Sequence, residues 1–275
     1  MRYGGKYSLK SKLLVEGNQN ANDEAYIASA WTAIGAALSQ GKLAGMTAVQ
    51  GGTTGADVTI TLANGETVPV EAKLSYTGTY GNPSLRGGSG IDPKTGTFQY
   101  GLSSSLSSQQ KAIKTELQTA IAAANADANV IARATAVEKQ NIAGTHQGCA
   151  GTGKRTVFKG GGIAAKWYQG KGSKGADYIH VKGYGLYLLV DGVDPLGLNA
   201  ILPKNMQIPV YAPSGGESIN VRMKMMSPKA GKNCSPMAEI KAVGSIKPSP
   251  VDLYNTAPFI QALKAGPVPG QTPAV

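Results

Sequence analysis

Apolar residues at Ile27, Ala30, Trp31, Ile34 and Leu38 recur at helical spacing, and Asn20-Ala21-Asn22-Asp23 offers caps ahead of them. This predicts a helix running to about residue 39. Gly41 and Gly45 then break the chain. Two short β-branched runs follow, 57–62 and 68–74, separated by Ala63-Asn64-Gly65-Glu66. Asn-Gly between such runs predicts a hairpin. From 75 to 108 the chain is rich in Gly, Ser, Thr and Tyr without a helical period, and it reads as a long ordered loop. Ala-rich amphipathic helices are expected over 108–125 and 128–141, then a Gly/Lys-rich connector over 144–175. Alternation at Ile179, Val181, Tyr184, Leu186 and Leu188 predicts one or two strands around Gly183. Residues 208–211 and 219–225 read as further short strands, and the proline-bearing tail from Gly266 as peripheral.

Composition narrows the class. Of 275 residues, 41% are hydrophobic, which supports a packed core and argues against global disorder. The 37 glycines follow no G-X-Y period, which excludes collagen. Two cysteines, Cys149 and Cys234, exclude a disulfide-built scaffold and fit a reducing compartment, with a single bridge left open. No apolar run has the length of a membrane span, and the basic N-terminus is not followed by a signal-peptide core. The expectation is a soluble, cytoplasmic protein, intracellular and of a kind that phages also encode, with no membrane partner. The net charge is +11 and is localised. Residues 1–12, 152–182 and 222–248 carry +4, +6 and +5, so the rest of the chain is −4. A polyanionic partner follows from this distribution.

Chemistry concentrates in Gly51-Gly52-Thr53-Thr54-Gly55-Ala56-Asp57 and in Glu71-Ala72-Lys73. Period-2 geometry puts Glu71 and Lys73 on one face of the second hairpin strand, and the hairpin brings Asp57 beside them. Two carboxylates and an ammonium on a shared face suit a divalent cation, with the Ala72 carbonyl as a further hard oxygen donor. The lysine can orient or help deprotonate a water, or offset charge on a phosphorane.

This layout resembles the active site of the PD-(D/E)XK nuclease superfamily, the restriction-endonuclease-like proteins, over residues 20–75 and more loosely to 140. Within that superfamily it is most similar to Holliday junction resolvases and to phage and restriction-type endonucleases. The resemblance implies an α/β fold: a mixed β-sheet core flanked by helices, here with a β-rich C-terminal addition. It implies a nuclease core over 1–212, holding the long loop and the basic connector, and a C-terminal extension over 213–275. The implied activity is Mg2+- or Mn2+-dependent hydrolysis of DNA phosphodiesters, endonucleolytic rather than exonucleolytic. Asp57, Glu71 and Ala72 would hold the metal and Lys73 the nucleophilic water. Glu24 would join the metal from the first helix, with Glu16 as fallback, and Gln99 after Phe98 would match a glutamine that many members carry. A homodimer or higher homo-oligomer is implied. Lys154, Arg155, Lys159, Lys166, Lys171 and Lys174 would contact DNA.

Other motifs argue less. Gly148–Arg155 nearly spells a phosphate-binding loop, but Arg155 stands where Ser or Thr is required, so no nucleotide cofactor is expected. His146 and Cys149, with His180 and Cys234, form only a scattered zinc set. The rival from another class is a non-catalytic basic nucleic-acid-binding protein, a phage-type DNA-processing accessory.

Overall fold

The structure is a computed structural model that describes residues 9–51, 56–85, 90–145, 147–159, 162–170, 175–225 and 233–266, with side chains from residue 21 onward. In chain order it contains α1 (Leu9–Ala37), β1 (Thr47–Gln50), β2 (Val58–Thr61), β3 (Thr67–Lys73), β4 (Thr79–Gly81), β5 (Gly90–Ile91), β6 (Phe98–Gln99), α2 (Ser108–Ala112), α3 (Lys114–Asn125) and α4 (Ala128–Ala143). There follow β7 (Lys154–Phe158), α5 (Ile163–Gln169), β8 (Tyr178–Val181), β9 (Gly185–Leu188), α6 (Leu198–Ile201), β10 (Glu217–Met225), β11 (Cys234–Ala242) and α7 (Thr256–Ala265). The protein is thus mixed α/β. Among the described residues no helix is long and apolar enough to cross a membrane.

Two compact units share the chain. The first takes Met1–Tyr76, Lys174–Tyr211 and Lys247–Val275; the second takes Thr77–Ser173 and Ala212–Ile246. This division cuts across the expected border at 212, because 213–246 belongs with 77–173 while the segment after it returns to the first unit.

The first unit is built on a five-stranded sheet of order β1-β2-β3-β8-β9. Only β3 and β8 are parallel; the other neighbours are antiparallel. The hairpin expected from Asn-Gly is β2–β3. Asn64 Oδ1 accepts the Glu66 N–H at 3.0 Å, and Gly65 takes φ +85°. Strand β1 was not foreseen: its four residues are mostly exposed, so they carry no alternating pattern to read. It is tied to α1 by the Ala48 N–H, which donates to Thr32 Oγ1 at 2.9 Å. Helix α1 begins well before Asn20, which corrects the capping role given to Asp23. Asp23 lies one turn ahead of Ile27 on the stripe that continues through Trp31 and Ile34, and it is buried with them. These residues pack with Val58, Ile60, Val68, Val70, Tyr178, Leu186 and Phe259. Trp31 meets the Phe259 ring edge-to-face at 6.1 Å.

The second unit centres on an antiparallel sheet of order β4-β11-β10-β7, with a separate β5–β6 ribbon. Helices α3 and α4 pack on this sheet, and Leu117, Ala120, Ala124, Ile219, Val221, Met223 and Ile240 fill its core. The single helix expected over 108–125 is broken at Ile113, whose φ of −118° and ψ of 27° leave the helical region. The connector expected over 144–175 contains β7 and α5. Of the strand expected at 208–211, which belongs to the first unit, only a bridge from Val210 to Leu188 in the same unit forms among the described residues. Cys149 and Cys234 are joined in a disulfide with Cα atoms 6.0 Å apart, the single bridge that the sequence left open, and this removes both from any zinc set.

Candidate active site

Asp57 stands immediately before β2. Its carbonyl accepts the Gly51 N–H at 2.7 Å. A Cβ on Gly51 would fall 1.8 Å from the Ala56 carbonyl oxygen, so only glycine allows the chain to close this tightly ahead of Asp57. Val58 pairs with Val70, which brings the preceding Asp57 opposite Glu71. Glu71 and Lys73 share one face of β3 by strand period. The Lys73 carbonyl accepts the Lys182 N–H at 2.9 Å, so Lys73 bonds toward β8. By alternation, the backbone groups of Ala72 face the β2 side. There the Ala72 N–H donates to Asp57 Oδ2 at 2.9 Å. Lys73 Nζ lies 2.5 Å from Glu71 Oε1. The sheet therefore brings together Asp57, Glu71, Ala72 and Lys73.

The electrostatics follow from crowding in a partly dry place. Burial, reinforced by the Glu71 charge, pushes the Asp57 carboxyl up to about 7; Lys73 and the Ala72 N–H only partly oppose this. Burial alone would lower the Lys73 ammonium. The nearby carboxylates of Glu71, Asp57 and Glu24 outweigh it and hold the group above its ordinary value. Lys73 is thus kept as a cation, which favours a charge-stabilising and water-orienting role over that of a base.

Glu24 is half-buried at the edge of this group and its charge reaches both Asp57 and Lys73. Its Oε2 accepts from Gln50 Nε2 at 2.9 Å. Among the described residues no three His, Cys, Asp or Glu side chains are arranged to hold a metal ion, so Glu24 does not complete a three-carboxylate set. Glu16 lies within α1, but its side chain is outside the described residues.

Several neighbours were missed from sequence. Asp23, almost fully buried, holds Lys182 Nζ at 3.0 Å. Lys182 lies 5.0 Å from the centre of the Tyr254 ring, and Tyr254 stacks on Tyr26. His180, fully buried, pairs with Ala72 across the parallel strands and sits 3.3 Å from Asp252 Oδ1. One signal was available: an acid at position 23 falls on the apolar stripe of α1, where a solvated side chain does not belong.

The remaining expected residues lie elsewhere. Gln99 is in β6 of the second unit, paired with Gly90, and is not among the residues gathered on the first sheet. Lys154 opens β7 and bridges Asp127 at 2.9 Å, so the glycines before it lead into a strand rather than a helix. Arg155 Nε donates to Ser218 Oγ at 3.0 Å, and Lys166 bridges Glu116 at 2.6 Å. Lys159 is exposed. Lys171, Lys174 and His146, and residues 52–55 of the Gly-rich turn, lie outside the described residues. Compared with protein-family models, curated proteins and solved structures, the chain matches none.

Proposed function

We propose that the chain is a divalent-metal-dependent deoxyribonuclease of the restriction-endonuclease-like kind, acting through Asp57, Glu71 and Lys73. One observation carries the reading: two carboxylates and a lysine held as a cation converge where β2 and β3 meet, with the Asp57 carboxylate anchored on the Ala72 N–H. A mixed sheet whose Asp strand and Glu-x-Lys strand are antiparallel neighbours, covered by α1, further supports it.

The donor set suits Mg2+ or Mn2+. Asp57, Glu71 and the Ala72 carbonyl offer hard oxygens. Burial and then the Glu71 charge raise Asp57, and a bound cation would offset the second of these. When bound, the ion supplies Lewis-acid polarisation of the phosphate and acidifies a water. The chain's own residues do the rest. Lys73 would direct its ammonium toward the charged phosphoryl oxygens and orient the attacking water. Glu71 holds that ammonium in place at 2.5 Å. Hydrolysis forms one P–O bond from water and breaks one P–O bond to a sugar oxygen, which leaves with a proton.

The test is cleavage of supercoiled, linear, single-stranded and four-way DNA with Mg2+ or Mn2+. Wild type is expected to cut, and Glu71→Ala and Asp57→Ala to lose cutting while still binding DNA. Lys73→Met is expected to lose ~10²-fold or more in turnover. Binding without metal-dependent cutting by the wild type would favour the non-catalytic alternative, and full activity of Glu71→Ala would end the assignment.

A further inference from the structure

Beyond the carboxylates, the same unit carries an ordered row of groups that the hydrolysis does not use. The rings of Tyr26 and Tyr254 are stacked at 4.6 Å with planes 7° apart. Tyr254 is fixed from within: Lys182 Nζ lies 5.0 Å from its ring centre and the His180 ring 5.7 Å away. Lys182 is itself anchored on buried Asp23 at 3.0 Å. Tyr26, by contrast, is 46% exposed on α1. Among the described residues no second ring covers it. Among the described residues, its exposed neighbours one turn away on the helix, Asn22 and Ser29, are polar.

We propose that Tyr26 and Tyr254 form a preformed platform onto which one unpaired nucleobase stacks, on the outer face of Tyr26. A parallel pair open at one end is extended by any base, because every base presents a π-face. Lys182, anchored on Asp23, closes the inner end of the stack against Tyr254 and leaves the outer face of Tyr26 for the base. The platform also stands next to the reaction. Lys182 is the residue whose N–H bonds the Lys73 carbonyl, and Asp23 precedes Glu24 on α1. The substrate is then DNA bearing an unpaired nucleotide beside the cleavage position: a flap, gap, overhang or branch. The location of the cut rests on the nuclease reading, whereas base stacking rests on the aromatic geometry alone.

The experiment measures binding of the full chain, in chelator so that nothing is cut, to three labelled DNAs: a blunt duplex, the same duplex with a three-nucleotide overhang, and oligo(dT). Wild type is expected to prefer the two with unpaired bases. Tyr26→Ala should weaken both by about 5- to 150-fold and leave the blunt duplex unchanged. Tyr26→Phe should retain wild-type affinity, while Tyr26→Leu, which keeps the apolar bulk, should bind as Tyr26→Ala does. Equal losses on all three DNAs, no loss on any, or no binding to any overturns the platform. Loss of a self-associated form in Tyr26→Ala with unchanged DNA binding also overturns it and assigns the ring to a second copy of the chain. Cleavage by wild type separates the two claims. No cutting with Tyr26-dependent stacking leaves the platform standing and removes the nuclease reading; cutting without that dependence does the reverse.

Discussion

Replacing Asp57 by Asn should make the metal-free protein more stable and inactive at once. The folded state raises this carboxyl from 3.8 to about 7, chiefly by burial and then by the Glu71 charge. It therefore holds the proton more tightly than the unfolded chain does. Stability is lost as pH rises from near 4, and the loss is complete above 7. A rise of that size corresponds to ~4 kcal/mol, which the residue's partial exposure reduces to about 2–4 kcal/mol. Asn stands in for the neutral acid, and its side-chain oxygen can still accept the Ala72 N–H. The chain has two tryptophans, Trp31 in the core of the first unit and Trp167 in the second. In a Trp167→Phe background, urea unfolding followed by Trp31 fluorescence reads the first unit by itself. In chelator at pH 8, Asp57→Asn should unfold at higher urea by the equivalent of about 2–4 kcal/mol, and the gap should close toward pH 4. Added Mg2+ or Mn2+ should raise the midpoint of the wild type and not that of the variant. A variant that is less stable than wild type at pH 8, or a gap that does not change with pH, refutes the reasoning.

Glu217, almost fully buried, accepts the N–H groups of Ile163 and Ala164 at 2.5 and 3.0 Å; Glu217→Ala strands both donors and should cost ~1–3 kcal/mol of stability, read from Trp167 unfolding. Its carboxyl is raised by burial, so the wild-type second unit should gain stability as pH falls from neutral toward the ordinary carboxyl range, a gain that Glu217→Ala should lack. The Cys149–Cys234 bridge closes an 85-residue loop, and reduction or a double Ser variant should destabilise by ~4–5 kcal/mol in the chain-entropy account; two freely titrating thiols in the native protein would contradict it. Lys154 and Lys166 already face Asp127 and Glu116, so Asp127→Asn should tighten DNA binding and steepen its salt dependence, as measured by anisotropy from 50 to 200 mM salt.

What the sequence disclosed was local. Asp57, Glu71 and Lys73 were legible because a β-branched hairpin around Asn64-Gly65 declares its own register, and period 2 then fixes which side chains meet. What stayed hidden depends on distant partners. Asp23 looked like a cap because capping acids and buried acids are the same residue; its place on the apolar stripe hinted at burial, but its partner Lys182 lies far along the chain. Helix α5 lies in a stretch of Gly and Lys that signals a loop, yet its first N–H groups are satisfied by Glu217, 54 residues from Ile163. The basic stretch 152–182 read as free charge, whereas Lys154 and Lys166 find acids 27 and 50 positions away. Strand β1 gave no signal because an exposed edge of four residues needs no apolar alternation.

The way the two units share the chain has a consequence for how the protein comes to be made. Val70 and Tyr178 lie side by side on β3 and β8, yet more than a hundred residues of other structure are threaded between them. The second unit in turn waits for β10 and β11, and the first waits again for α7. The first cannot finish until after the second has been made, and a chain arrested at 212 holds two incomplete cores rather than one complete domain. Slow closure of such long loops favours a late, concerted assembly, with the acidic pocket assembled but its parallel neighbour missing until β8 arrives. The backbone bond from Lys182 that holds the Lys73 carbonyl therefore forms only once more than a hundred further residues have been made.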